Sequence, residues 1–190
     1  DVMVVTPEEG IFVAMNVLLK KGDHAIVLSP AYQSLYEVAN AVGAEVTQWT
    51  LETNGVRWSL DLDFLQRTVR GNTKLIVINF PHSPTGYHPE KKAFDQIVEF
   101  ASRRKLYLFS DEMYRFAEYN DDQRLPSVCD LFGQGITLCG LSKAFALPGL
   151  RIGWLATKEK HLLHEFNAFK DYTTICSSAP SEVLAIIALR

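Results

Sequence analysis

Cysteine is scarce in this sequence. Cys129, Cys139 and Cys176 are the only three, and no two of them form a CxxC pair. An odd count without ligand spacing excludes a disulfide framework and a cysteine-based metal centre, and it fits small thiols in a reducing compartment. An excess of charge of one sign is missing as well. The formal net charge is −3 over 190 residues, and the lysines and arginines are scattered, which excludes an electrostatic nucleic-acid surface. No apolar run approaches the ~18–20 residues that a membrane-spanning helix needs. The opening Asp1-Val2-Met3-Val4-Val5 does not have the form of a signal peptide. Internal repeats, low-complexity tracts and Gly/Ser linkers are all lacking. What remains is an ordinary globular composition, 47% hydrophobic and 22% charged, enough for one sizeable core, with the cytoplasm as the expected location.

Short apolar runs alternate with amphipathic stretches along the whole chain. Helical periodicity is present over 8–20, 32–41, 61–70, 89–103, 158–171 and 179–190. Strand-like runs fall at 24–28, 45–51, 74–80, 106–110, 136–141 and 151–156. Strands alternating with helices of 10–15 residues predict an α/β domain, helices on both faces of a mostly parallel sheet. One domain over 1–190 is the economical reading. Asn79, Asp111 and Lys143 each close or follow a buried run. In open parallel sheets ligands bind at the carboxyl ends of strands, so the pattern predicts that these three residues share one sheet edge.

The residue types there suggest a chemistry. Lys143 is followed eight positions later by Arg151, with Pro148-Gly149 between them. A lysine amine in a partly desolvated site forms a Schiff base with an aldehyde, and a guanidinium grips a phosphate in a bidentate fork. Asp111 ends the run Leu106-Tyr107-Leu108-Phe109-Ser110, an awkward place for a carboxylate without a cationic partner.

Three segments, Asn79-Phe80-Pro81-His82-Ser83-Pro84-Thr85-Gly86, Ser110-Asp111-Glu112-Met113-Tyr114-Arg115 and Leu141-Ser142-Lys143 through Arg151-Ile152-Gly153, together resemble the active-site signature of class I/II aminotransferases. These are fold-type I enzymes that use pyridoxal 5′-phosphate. The resemblance covers nearly the whole chain and implies the large, cofactor-binding domain of that fold, without the N-terminal arm and small C-terminal domain of relatives. It implies that Lys143 carries the cofactor as a Schiff base and then acts as general base. Asp111 would pair with the pyridine nitrogen, and Tyr114 would hydrogen-bond the phenolic oxygen. Arg151 and Ser142 would hold the phosphate, and Tyr32 in Ser29-Pro30-Ala31-Tyr32 would stack on the ring. It also implies amino-acid and 2-oxo-acid substrates and a homodimer.

Three segments depart from the family pattern. Gly140 stands where relatives usually carry a serine three residues before the lysine. Ser83 stands where relatives carry an asparagine that donates to the phenolic oxygen, and a hydroxyl has one hydrogen to give. Thr6-Pro7-Glu8-Glu9-Gly10 replaces a small-residue turn that opens a phosphate-binding helix. Helix N–H groups at Glu8 and Glu9 remain available to an anion, although Pro7 removes one donor and the two carboxylates repel a phosphate if they face it. The expected activity is transamination. Elimination, cyclisation or oxidation on the same cofactor, and a non-catalytic cofactor-binding regulatory domain, stand as alternatives. His82, beside the proposed site, is read as structural.

Overall fold

The computed structural model describes all residues from Asp1 to Arg190. Nine strands and seven α-helices follow one another in the chain. They are β1 (Val2–Val5), α1 (Pro7–Leu18), β2 (His24–Ser29), α2 (Ser34–Val42), β3 (Glu45–Thr50), β4 (Glu52–Thr53), β5 (Trp58–Ser59), α3 (Asp63–Thr68), β6 (Thr73–Asn79), α4 (Lys91–Arg104), β7 (Tyr107–Asp111), α5 (Val128–Leu131), β8 (Gly135–Gly140), β9 (Gly153–Thr157), α6 (Lys160–Lys170) and α7 (Ala179–Ala188). β4 and β5 form a separate two-stranded ribbon, and the other strands make one sheet in the order β1-β9-β8-β7-β6-β2-β3.

The sheet is parallel from β8 through β7, β6 and β2 to β3. At the opposite edge β9 runs antiparallel to β8, and β1 antiparallel to β9. Apolar side chains on both faces of the central strands account for their unbroken hydrophobic runs. On one face Val27, Val77, Phe109 and Leu138 pack against α1, α2 and α6. On the other, Ile26, Ile76, Ile78 and Leu108 pack against Leu65 of α3, Phe94 and Ile97 of α4 and Val128 of α5. The three-layer α/β/α arrangement is the one expected from the alternating pattern.

Register matters more for the site than layer count does. Asn79 at the end of β6 pairs with Asp111 at the end of β7, and Asp111 pairs in turn with Leu138 of β8. Three carboxyl ends therefore lie side by side, and Lys143 follows two residues beyond Leu141. β1 brings α1 to the same edge, because Val5 is in register with Gly153. α1 begins with Thr6 as N-cap and Pro7 in the first turn, where a proline has no hydrogen bond to lose. Gly10 lets the helix lie close to the sheet, since a Cβ there would come within 2.9 Å of Leu138 Cδ1.

Ordinary helix chemistry sets most of the element ends. α2 stops at Gly43, whose φ of 93° is left-handed, and α4 stops at Lys105 in the same conformation. The strand expected over 151–156 begins two residues late. Arg151 has φ 54° and closes a 3₁₀ turn over Pro148–Leu150, so extended backbone starts only at Gly153.

Candidate active site

A cavity of about 220 Å³ opens at the carboxyl ends of β6, β7 and β8 and is closed at one end by the start of α1. Its lining includes Glu8, Tyr32, Ser83, Asp111, Tyr114, Ser142, Lys143 and Arg151, drawn from six separate stretches of chain. Pro7, Ile11, Met113, Leu138 and Pro148 supply apolar wall that the motifs alone did not single out.

Asp111 forms the floor and is buried, 6% exposed. One oxygen accepts the Met113 N–H at 3.0 Å, and no lysine or arginine lies within ion-pair distance. Burial pushes its carboxyl up to about 6. The Met113 hydrogen bond opposes this rise, Glu112 reinforces it, Lys143 opposes it and Glu8 reinforces it. A carboxylate in this condition is short of a cationic partner.

Asn79 has both ends of its side-chain amide committed. It donates to the Asp111 carbonyl at 2.7 Å and accepts from the Ser83 N–H at 2.9 Å. This buried latch ties the end of β6 to the end of β7 and to the Ser83 loop. The signal for it was a polar residue closing an otherwise apolar strand.

Lys143 stands beyond Leu141 in an exposed turn, with Nζ 5.4 Å from the centroid of the Tyr114 ring. The amine itself is exposed; the buried member of the group is Asp111. Ser142 Oγ is buried and has no hydrogen-bond partner. Arg151 is exposed, and its Nη1 donates to its own turn through the Pro148 carbonyl at 3.1 Å. Tyr32 is 62% exposed beside the cavity.

Glu9 is the one candidate that the structure does not bring into the cavity. Its carboxylate turns back under the helix. There it meets Lys170 Nζ at 3.4 Å, Thr173 Oγ1 at 2.5 Å and Thr174 Oγ1 at 2.7 Å, and it accepts the Thr6 N–H at 3.3 Å. Burial acts to raise its carboxyl, but Thr173, Thr174, Lys170 and Thr6 outweigh that and hold it below its ordinary value. The reason is tertiary: a buried lysine of α6 needs a counter-charge, and only Glu9 is there to give it.

Pro7, Gly140 and Gly153 form one unit. A Cβ on Gly153 would lie 2.5 Å from the Cys139 carbonyl and 2.8 Å from Pro7 Cγ, and one on Gly140 would lie 3.1 Å from the same proline carbon. The proline ring thus rests on a glycine pair where β8 meets β9. That contact places the first turn of α1, with Glu8, at the rim of the cavity.

Behind the floor, buried Glu112 accepts from Val128 N–H at 3.1 Å, Ser127 Oγ at 3.0 Å, Thr137 Oγ1 at 3.0 Å and Arg115 Nη1 at 3.2 Å. Arg115 is thereby occupied outside the cavity. His82 is buried, with Nδ1 2.7 Å from Thr85 Oγ1, and it does not line the cavity. The three cysteines are free, and no cluster of His, Cys, Asp or Glu has the makings of a metal site.

The chain has counterparts among known proteins. The family model for aminotransferase class I and II matches residues 2–189. The chain belongs to the class I and II aminotransferase family. It is 31% identical over 166 residues to the aspartate aminotransferase of Sulfolobus acidocaldarius, covering 83% of this chain and 40% of that protein. It is also 31% identical over 182 residues to the capreomycidine synthase of Streptomyces vinaceus, covering 95% of this chain and 46% of that protein. A PLP-dependent aminotransferase of Streptococcus suis superimposes with a TM-score of 0.90 at 34% identity, over 99% of this chain and 49% of that one. The chain spans about half the length of the aminotransferase relatives it matches. No helix is long and apolar enough to cross a membrane.

Proposed function

We propose that the chain is the cofactor-binding domain of a pyridoxal-phosphate-dependent aminotransferase, which moves an amino group between an amino acid and a 2-oxo acid. The observation that carries this reading is the convergence of Asp111, Lys143, Ser142 and Arg151 on one cavity. Two features of that cavity fit pyridoxal phosphate. Asp111 is a buried carboxylate without a cation, and a protonated pyridine nitrogen is a cation of the right kind. Ser142 Oγ is a buried hydroxyl without a partner, beside a free guanidinium, and a phosphate takes hydrogen bonds from both.

Bound there, pyridoxal phosphate supplies an aldehyde that condenses with amines and a ring that draws electron density from the amino acid's α-carbon. Lys143 Nζ would be the amine that holds that aldehyde and, when free, the base placed to move the substrate's α-proton. Asp111 would keep a proton at the ring nitrogen. Tyr114 would donate its hydroxyl to the phenolic oxygen, with the Ser83 hydroxyl as a second available donor. Tyr32 would be the aromatic against the ring. Glu8 would contribute its backbone N–H at the helix start, and its side chain is left for another task. Glu9 supports the helix from beneath.

A second reading, another reaction on an amino acid with the same cofactor, is favoured by the match to a protein named as a synthase. Turnover with and without an added 2-oxo acid separates the two. A cytoplasmic homodimer belongs to the first reading; the free cysteines agree with a reducing compartment. The test is a visible absorbance spectrum with added pyridoxal phosphate, for wild type beside Lys143→Ala. The expected result is a band that depends on Lys143 and shifts when an amino acid is added. Identical spectra for the two proteins would overturn the proposal.

A further inference from the structure

Glu8 and Tyr32 each line two cavities. One holds Lys143 and Arg151; the other, of about 380 Å³, lies between α1 and α2 and is walled also by Phe12, Gln33, Ser34, Glu37, Val38 and Ala41. No lysine, arginine or histidine lines this second cavity. Neither Glu8 nor Glu37 takes part in any ion pair of the structure. Ser34 is 9% exposed, and its hydroxyl is buried without a hydrogen-bond partner. The rings of Phe12 and Tyr32 remain 44% and 62% exposed.

The two cavities differ in polarity. The inner one, lined by Lys143 and Arg151, is the space the cofactor fills, and the outer one is left with two carboxylates outside every ion pair, an orphan hydroxyl and two aromatic rings. A group that complements the outer cavity is cationic. Carboxylates and aromatic faces are the groups that hold an ammonium or guanidinium. Glu8 and Tyr32 line both cavities, so the outer one adjoins the one that holds Lys143.

We infer that the second cavity is the subsite for the distal cation of a basic amino-acid substrate, with Glu37 and Glu8 as its counter-charges and Phe12 as the aromatic wall. This rests on the cofactor reading above and adds to it the class of substrate. It also gives Glu8 a role that suits its charge, since a carboxylate at the start of a phosphate-binding helix repels the phosphate but attracts a substrate cation. Glu37 is a specificity residue here. It lies outside the Lys143 cavity and takes no part in holding the cofactor.

The experiment is an absorbance titration of the purified protein loaded with pyridoxal phosphate. The ligands are L-arginine against its neutral isostere L-citrulline, and L-lysine against L-norleucine. The cationic member of each pair is expected to saturate at a concentration at least tenfold lower. In Glu37→Gln that preference is expected to shrink by about fivefold, the factor for one partly exposed ion pair. The citrulline and norleucine curves stay where they are, which shows that the variant is folded and loaded. Equal saturation by charged and neutral isosteres overturns the subsite and leaves the cofactor reading standing. A charge preference that survives Glu37→Gln places the cation elsewhere and also overturns it. A Lys143-dependent band that no amino acid shifts overturns the substrate reading of the whole site.

Discussion

Asp111→Asn makes the cofactor-free protein more stable, and it does so in a pH-dependent way. The Asp111 carboxyl titrates at about 6 in the folded protein against 3.8 for an unperturbed aspartate. Each factor of ten in proton affinity is about 1.4 kcal/mol. The folded state therefore binds a proton that the unfolded state has already released, and stability falls as pH rises through the window from about 4 to about 6. Above it the loss is complete at about 3 kcal/mol, because the folded protein then carries an ionised, buried and unpaired carboxylate. The asparagine oxygen keeps the 3.0 Å bond from Met113 N–H without the charge. The variant should exceed wild type by about 1 kcal/mol at pH 4.5 and about 3 kcal/mol at pH 7.5. Urea unfolding of both proteins without cofactor, at the two pH values, measures this directly. A difference that is the same at both pH values, or a variant less stable than wild type at pH 7.5, would refute the claim that Asp111 lacks a counter-charge. Under the proposed function the same substitution should weaken cofactor binding, since the charge that destabilises the empty floor would be the one that holds the ring nitrogen.

Three further outcomes follow from the geometry. Ser142→Ala removes a buried hydroxyl that has no partner, so the cofactor-free protein should lose no stability, while pyridoxal-phosphate affinity falls about tenfold or more; a fluorescence titration reads the second quantity. Lys170→Met leaves the Glu9 carboxylate buried and unpaired, at a cost of about 3–5 kcal/mol seen as a lower midpoint in urea. The loss should lessen as pH falls toward the range where Glu9 takes up a proton, and equal losses at pH 4.5 and pH 7.5 would count against a buried charge. Gly153→Ala drives a Cβ to 2.5 Å from the Cys139 carbonyl, so it should destabilise by about 1–3 kcal/mol or more, and thermal unfolding checks it.

Much of this was legible because the central strands are simple. β6 is an uninterrupted apolar run ending in asparagine, β7 one ending in aspartate, and each is followed by turn chemistry. Parallel pairing in register then brings Asn79 and Asp111 together without further information. The reversed edge was less visible. β9 has the same composition as its neighbours, and composition carries no direction; the clue was that no full helix separates β8 from β9, as a parallel crossover requires. Glu9 was misplaced for a different reason. First-turn acids point outward by default, and the partner that draws this one inward, Lys170, lies 161 residues away in the chain. Ser142 and Lys143 were legible as residues, yet the contrast between a buried hydroxyl and an exposed amine was not, because exposure within a turn is set by its backbone.

That contrast bears on how the site works. The floor is fixed by backbone and buried groups: the Asn79 latch joins two strand ends, and Pro7 rests on Gly140 and Gly153. The cationic wall is made differently. Between Leu141 and Ile152 the chain leaves the sheet in a turn that holds two non-glycine residues in the left-handed region, Ala146 at φ 53° and Arg151 at φ 54°. Each such residue costs about 1–3 kcal/mol unless its surroundings impose it. Here they do: Leu147 N–H donates to the Leu141 carbonyl and Leu141 N–H to the Ile152 carbonyl, both at 3.0 Å, and these bonds close the turn on itself. The strained backbone fixes where the Arg151 side chain starts, and the Pro148 carbonyl holds its guanidinium at 3.1 Å. A phosphate that takes the guanidinium displaces one neutral hydrogen bond and gains charge-assisted ones in its place. The exchange favours binding. The aspartate that needs a cation is therefore immobile, and the arginine that would meet a phosphate is tethered by a contact weak enough to yield.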